Sequence, residues 1–236
     1  MREIAILLTY PYPNFSILHK RITEIALLGI ESIILEGDVY IGRFKILGKG
    51  TTSLVMKAYH RVYDVVTLKL RRTDANRVSL IHEAKVLNYL NRFNVGPELY
   101  CYSKNALIWK YIDGYSFEEV IEKLSDEELR IVMNKVLHQL YILDKVRVVH
   151  HELSRPEGHI LVTKNLDVYI IDFESATMDS KKKNLTQFLQ YILFNTKCEK
   201  IRKILGIDAK KRSNIVEMLR KYKTDINIFK SIMRIL

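Results

Sequence analysis

The chain runs to 236 residues, 48% of them apolar and 28% charged, with a net charge of +11. That length and apolar share suffice for a real core and exclude a disordered or fibrous chain. No apolar run nears the roughly 18 residues that span a bilayer, and MREIAILLTYPYP is too soon broken by proline to be a secretion signal, so a cytoplasmic location and no membrane partner are expected.

Residues 1–38 read as a helical extension holding one helix, FSILHKRITEIALLG, that ends near Gly29. From 39 to 59, VYIGRFKILGKGTTSLVMKAY alternates apolar and polar positions on either side of Gly48, Lys49 and Gly50, the pattern of two strands around a glycine turn. Such a turn can lay backbone N–H groups over phosphates. The next strand, DVVTLKL at 64–70, carries Lys69 as the one cation in an apolar run, where burial calls for an anionic partner. Glu83 is the candidate, inside DANRVSLIHEAKVLNYLNRF, where Val78, Ile81, Val86, Leu87 and Leu90 recur at helical spacing. PELYCYS and ALIWKY complete a β-rich domain over 39–112, and a hinge is expected near Lys110 to Gly114.

The remaining domain, 113–236, is expected to be helical. Ser116 with Glu119 and Ser125 with Glu128 are capping boxes, each opening a helix, the second running to about Arg147. A loop, a hairpin turning at Lys164 to Asp167, and helices near 184–194, 197–205, 209–222 and 225–235 follow. Cys101 and Cys198 have no motif spacing, which argues against a disulfide framework or a cysteine metal site.

The most informative window is 150–174, HHELSRPEGHILVTKNLDVYIIDFE. Two acids separated by a hairpin suit metal-assisted phosphoryl transfer: Glu152 can face a nucleophile's hydroxyl while Asp172 holds a divalent cation against nucleotide phosphates. His150, His151, Glu152 and His159 lack the HExxH or HxxEH spacing of zinc sites, and His150 reads as a core histidine. Arg155 can bind phosphate or pin the loop to a carboxylate.

In chain order, GKGTTS resembles the Gly-rich loop of protein kinases, VVTLKL the strand carrying the ATP lysine, and Glu83 the glutamate of helix αC. WKYIDG resembles the hinge, HHELSRPEGH the catalytic loop, and IIDFE the metal-binding Asp-Phe-Gly segment. Over about residues 40–195 the chain resembles small archaeal protein-kinase-fold proteins, namely the RIO-like atypical kinases and the kinase subunit of the KEOPS complex. ELSRP followed by a histidine also resembles compact archaeal proteins predicted to be Ser/Thr kinases.

The resemblance implies an α+β, two-lobed kinase-like fold, with a β-rich N-lobe holding one αC-type helix and a compact helical C-lobe. It implies ATP and magnesium, with manganese as the alternate, and a protein substrate. By the same resemblance Gly48, Lys49, Gly50, Thr51, Thr52, Ser53, Val55, Lys69, Glu83, Lys110, Ile112 and Leu161 line the nucleotide. Asp172 and His159 are the metal candidates, and Glu152, Lys69 and Asp172 the catalytic ones. Adenine is expected on an apolar floor that includes Leu47, Val55 and Leu161. The ammonium of Lys69 and the carboxylate of Asp172 are expected to converge on one triphosphate.

The departures from the kinase pattern matter as much. Ser53 replaces the third glycine, Glu152 replaces the catalytic aspartate with one more methylene, and Glu174 replaces the glycine after Asp-Phe. His159 stands in for the metal-binding asparagine, although magnesium prefers oxygen ligands to imidazole. No Ala-Pro-Glu segment follows. These changes keep open a second reading, a pseudokinase that docks RNA or a protein complex. A third, a small-molecule kinase of the aminoglycoside or choline type, calls for an acidic acceptor pocket and extra helices of which this short basic lobe gives little sign. Thr51, Thr52 and Ser53 beside the phosphates suggest autophosphorylation.

The charge excess is local. Residues 181–236 hold 15 Lys and Arg against 4 Asp and Glu, a surplus equal to the +11 of the whole chain. Such a cluster suits RNA phosphates, an acidic protein or an anionic membrane surface, or forms a solvated helical face.

Overall fold

The computed structural model describes residues 2–236, and the chain divides into two units, Met1–Asn91 with Pro97–Ile112, and Arg92–Gly96 with Asp113–Leu236. The first begins with two helices, α1 (Arg2–Leu8) and α2 (Phe15–Leu27), followed by β1 (Ile30–Ile34), β2 (Val39–Ile41), β3 (Phe44–Ile46), β4 (Gly48–Lys49), β5 (Ser53–His60) and β6 (Asp64–Arg71). Helix α3 (Ile81–Asn91), β7 (Leu99–Tyr102) and β8 (Ala106–Lys110) complete it. The main sheet is antiparallel in the order β1-β5-β6-β8-β7, with β4 paired to the start of β5.

Alternation along each strand sends neighbouring side chains to opposite faces. Leu54, Met56 and Ala58 of β5, Val66, Leu68 and Leu70 of β6, and Ala106 and Ile108 of β8 share one core with Ala5, Leu7 and Leu8 of α1 and Leu18 and Ile25 of α2. The intervening positions Val55, Leu107 and Trp109 join Leu80 and Ala84 at the start of α3 in a second cluster. Lys69, between Leu68 and Leu70, therefore belongs to the α3 face. The N-terminal helices are fastened by polar contacts as well. Arg21 donates to the carbonyls of Arg71 and Asn105, at 2.9 and 3.3 Å, and burial lowers its pKa to about 10.

Two expectations for this region need correction. Residues 1–38 hold two helices and a strand in place of one helix, because β1 pairs with β5 as a sheet edge. The stretch read as two strands is four: β2 and β3 form their own hairpin before β4 and β5 form the next. Gly37, at φ +132°, sits where a Cβ would collide with the Ile46 carbonyl, so the approach of β2 to β3 needs glycine there.

The second unit contains β9 (Gly114–Ser116), α4 (Phe117–Lys123), α5 (Asp126–Lys145), β10 (Ile160–Thr163), β11 (Val168–Ile170), α6 (Asn184–Phe194), α7 (Glu199–Ile204), α8 (Ala209–Tyr222) and α9 (Phe229–Ile235). Both anticipated capping boxes are present, Ser116–Glu119 on α4 and Ser125–Glu128 on α5. Helix α5 buries Leu129, Val132, Met133, Val136, Leu137, Leu140 and Leu143, one helical stripe, and is the axis on which α6 and β11 rest. Single 3-10 turns at Thr196–Cys198 and Ile226–Ile228 open the segments expected as continuous helices. The short strand β9, not anticipated, adds to the β10–β11 hairpin.

One buried polar knot ties the helices to the loop that follows α5. The Asp144 carboxylate accepts from the Asn184 backbone N–H (2.6 Å) and side-chain amide (2.8 Å), the Leu185 N–H (3.2 Å) and the Tyr222 hydroxyl (3.0 Å). Asn184 Oδ1 in turn accepts the His150 N–H at 2.9 Å. Burial pushes the Asp144 carboxyl upward while these donors hold it down. Among the described residues, no helix is long and apolar enough to cross a membrane.

Candidate functional site

On the α3 face of β6 the Lys69 Nζ lies 2.9 Å from Glu83 Oε1 and 2.8 Å from Oε2, with side chains 4% and 3% exposed. Glu83 occupies the first turn of α3, so strand alternation and helix register together deliver the contact. Desolvating two charges offsets most of their attraction, and an apolar pair would often hold a fold as well. A retained, wholly enclosed ion pair is therefore a functional-site signal.

The glycine loop is the hairpin joining β4 to β5. Gly48 pairs with Val55 and Lys49 with Leu54, and the Gly50 N–H donates to the Ser53 carbonyl at 2.8 Å. Neither glycine has positive φ, and an added Cβ would meet Val55 at 3.7 Å or the Ser53 carbonyl at 3.5 Å, both ordinary contacts. The fold itself thus makes no demand for glycine at 48 or 50. What side chains there would obstruct is the approach of another molecule to the loop backbone, which is what phosphate binding uses.

The same loop is held from one side by residues the sequence did not single out. Arg72 Nη1 donates to the Gly50 carbonyl at 2.8 Å, its backbone N–H donates to the Thr52 carbonyl at 2.9 Å, and its guanidinium forks onto Asp74 at 2.9 and 2.7 Å. The Lys49 ammonium and the Arg72 guanidinium lie 5.2 and 4.9 Å from the centre of the Tyr10 ring. Thr51 is exposed, whereas Thr52 and Ser53 are 9% and 2% exposed. Val55 is half-buried beside Leu80, Ala84, Leu107 and Trp109; Leu47 is half-buried, Lys110 exposed at the end of β8, and Ile112 buried.

In the helical unit, reciprocal N–H to carbonyl bonds between Val149 and Thr177, 2.8 and 2.9 Å, staple the two ends of the segment carrying the other candidates. His150 is wholly buried and its Nε2 lies 2.8 Å from the Ile171 carbonyl. A carbonyl only accepts, so Nε2 carries the proton, and burial holds the ring's pKa down to about 4. His150 is thus the core histidine that its position suggested, and His151 Nε2 is engaged by the Thr177 hydroxyl at 2.8 Å.

Glu152 is gripped at both oxygens. Ser175 Oγ lies 2.5 Å from Oε1, and His159 Nε2 lies 3.0 Å from Oε2. Two turns shape the loop between them, Arg155 N–H to the Glu152 carbonyl and His159 N–H to the Pro156 carbonyl, each 2.9 Å. Arg155 itself is exposed. Leu161 is half-buried in β10, opposite Ser116 and Tyr169. Asp172 follows β11 with φ 65° and ψ 64°, a left-handed backbone, and leads into a 3-10 turn over Phe173–Ser175. Its carboxylate and that of Glu174 are oxygen donors of the kind magnesium prefers. Ser175 was missed because its partner lies 23 positions away, beyond any local spacing rule.

Part of the C-terminal positive charge is used internally. Arg202 donates to the carbonyls of Ile192 and Asn195, Lys200 to that of Leu124, and Lys211 to that of Leu205, all at or near the ends of helices. Lys197, Lys203 and Lys221 pair with Glu118, Glu199 and Glu217.

No family model matches the chain. The chain is similar to the KEOPS complex subunit Bud32 of Pyrococcus abyssi, 31% identical over 127 residues, and that match takes in 52% of this chain and 54% of Bud32, about half the length of each. With the β-rich unit, its αC-type helix and the helical unit, this likeness makes the fold kinase-like and α+β. The chain is also 30% identical over 115 residues to the uncharacterized protein MJ1211 of Methanocaldococcus jannaschii, 48% of this chain and 97% of that protein. On that coverage, the chain belongs to the same family as MJ1211.

Proposed function

We propose that the chain is an ATP-dependent phosphotransferase, an atypical serine/threonine protein kinase acting on a protein substrate. The observation that carries the reading is the enclosed Lys69–Glu83 pair beside a glycine loop whose glycines the fold does not require. Lys69 would hold the α/β-phosphates and the backbone of Gly48 to Ser53 would cover them. Asp172 would hold magnesium, whose charge neutralises the phosphates when bound. Glu152 would orient the acceptor hydroxyl from a side chain that is 39% exposed. Thr51, the exposed hydroxyl of the loop, is the self-acceptor this arrangement favours.

Purified protein given labelled ATP with magnesium or manganese should label itself or proteins in an extract, and Lys69→Met and Asp172→Ala should abolish labelling. No label under any condition, with nucleotide binding unchanged in Asp172→Ala, sinks the proposal. A nucleotide-gated binding module is the second reading, favoured by the protein partners already on both oxygens of Glu152. It requires that Glu152→Gln leave ATP turnover as it is in the wild type.

A further inference from the structure

We infer that Ser175 and His159 are positioning residues that grip the Glu152 carboxylate from two sides, and that His159 serves phosphoryl transfer through Glu152 and not as a metal ligand. This rests on the reading of Glu152 as the residue that orients the acceptor hydroxyl. Ser175 Oγ is 2.5 Å from Glu152 Oε1 and 3.0 Å from the His150 carbonyl. A hydroxyl has one proton to give, and the shorter contact is to the carboxylate, at the length of a charge-assisted O–H···O bond. The proton is therefore directed to Glu152.

On the other side, His159 Nε2 is 3.0 Å from Glu152 Oε2. A carboxylate only accepts, so Nε2 is the N–H of the ring. Nδ1 is enclosed and has no partner, and an N–H sealed there without an acceptor would be costly, so Nδ1 keeps its lone pair. The lone pair that a cation would use is thus shut away, and the other ring nitrogen is already committed to Glu152.

Both supports are rigid. Ser175 ends the 3-10 turn that begins at Phe173, a side chain 1% exposed, and the Val149–Thr177 staple follows two residues on. The His159 carbonyl accepts the Ile171 N–H at 2.9 Å, and the His150 ring lies 5.2 Å from the His159 ring and 5.1 Å from the Phe173 ring. The extra methylene of glutamate adds a rotatable bond that aspartate lacks, and a grip at both oxygens removes that freedom. A carboxylate offers about four lone-pair sites, so an acceptor hydroxyl still finds one on the exposed side.

The test is steady-state kinetics with ATP, magnesium and the label acceptor. Ser175→Ala and His159→Ala should each lower kcat roughly 10- to 100-fold, the cost of a misplaced catalytic group, with KM for ATP and the half-saturating magnesium concentration unchanged. Ser175→Thr, which keeps the hydroxyl, should restore kcat. Glu152→Asp, too short to reach both partners, should fall as far, and adding Ser175→Ala to it should cost nothing more.

Wild-type kcat in either alanine variant overturns the inference, as does a raised magnesium requirement in His159→Ala, which would return that residue to the metal. An independent readout is the imidazole 15N–1H spectrum: His159 should show the Nε2–H form in the wild type and lose it in Glu152→Ala. That signal in a protein without turnover supports the grip and sinks the phosphotransferase reading; turnover without the signal does the reverse.

Discussion

The Lys69 ammonium touches both oxygens of Glu83, at 2.8 and 2.9 Å, on the face of the sheet that α3 covers. Removing one partner takes the opposite charge away from the other inside an enclosed site. Lys69→Met should therefore lower stability by about 3–5 kcal/mol, whereas replacing both residues by methionine should recover most of that loss. Urea unfolding of the two single variants and the double variant measures both. Nucleotide binding should be lost in all three, which separates folding from function.

Arg72 joins the glycine loop to the N-terminal segment through the Gly50 carbonyl and the Tyr10 ring. Arg72→Ala should weaken ATP binding about five- to tenfold, equivalent to about 1 kcal/mol. Arg72→Lys should recover only part, since an ammonium cannot reproduce the guanidinium fork. Calorimetric titration with ATP checks the order of the three affinities; equal values would remove the loop from any role in binding.

Burial holds His150 down to about 4 against an ordinary value of 6.5, so the unfolded chain takes up a proton that the folded protein refuses. Stability from this residue is complete above pH 6.5, declines as pH falls from there to about 4, and is flat below. At about 1.4 kcal/mol per pKa unit the loss across the window is about 3 kcal/mol. Urea midpoints measured through that window should slope in the wild type and flatten in His150→Gln.

Tyr222, at the end of α8, reaches Asp144 at the end of α5 with its hydroxyl 3.0 Å from Oδ2. Burial and the neighbouring carboxylate push the phenol well above its ordinary range, so it stays a donor. Tyr222→Phe should cost about 2 kcal/mol, the worth of a buried bond to a charged acceptor. Thermal unfolding by circular dichroism would show it, and a shift within error would mean that the knot draws its strength from the Asn184 and Leu185 donors.

What could be read in advance was whatever is written locally. Ser116 and Ser125 announce their helices because a capping box lies within four residues, and Lys69 stands out as a charge in an apolar run. Strand β1 was not legible: IESII has no clean alternation, and it becomes a strand by pairing with β5 across a bulge. The residues surrounding the candidate groups were hidden for a related reason. Ser175 meets Glu152, and Arg72 meets Gly50, only after the chain has folded back over 23 and 22 positions, and serines and arginines at such places look like any others in a string.

Asp172 holds a left-handed backbone at φ 65°, a conformation that glycine adopts freely and other residues enter at a cost of about 1 kcal/mol. Selection of a variant library for heat resistance alone should then drift toward glycine at this position, and the same clones should lose phosphate transfer. If Asp172 is the proposed magnesium holder, a carboxylate kept where the main chain would be more comfortable without it is durability traded for chemistry.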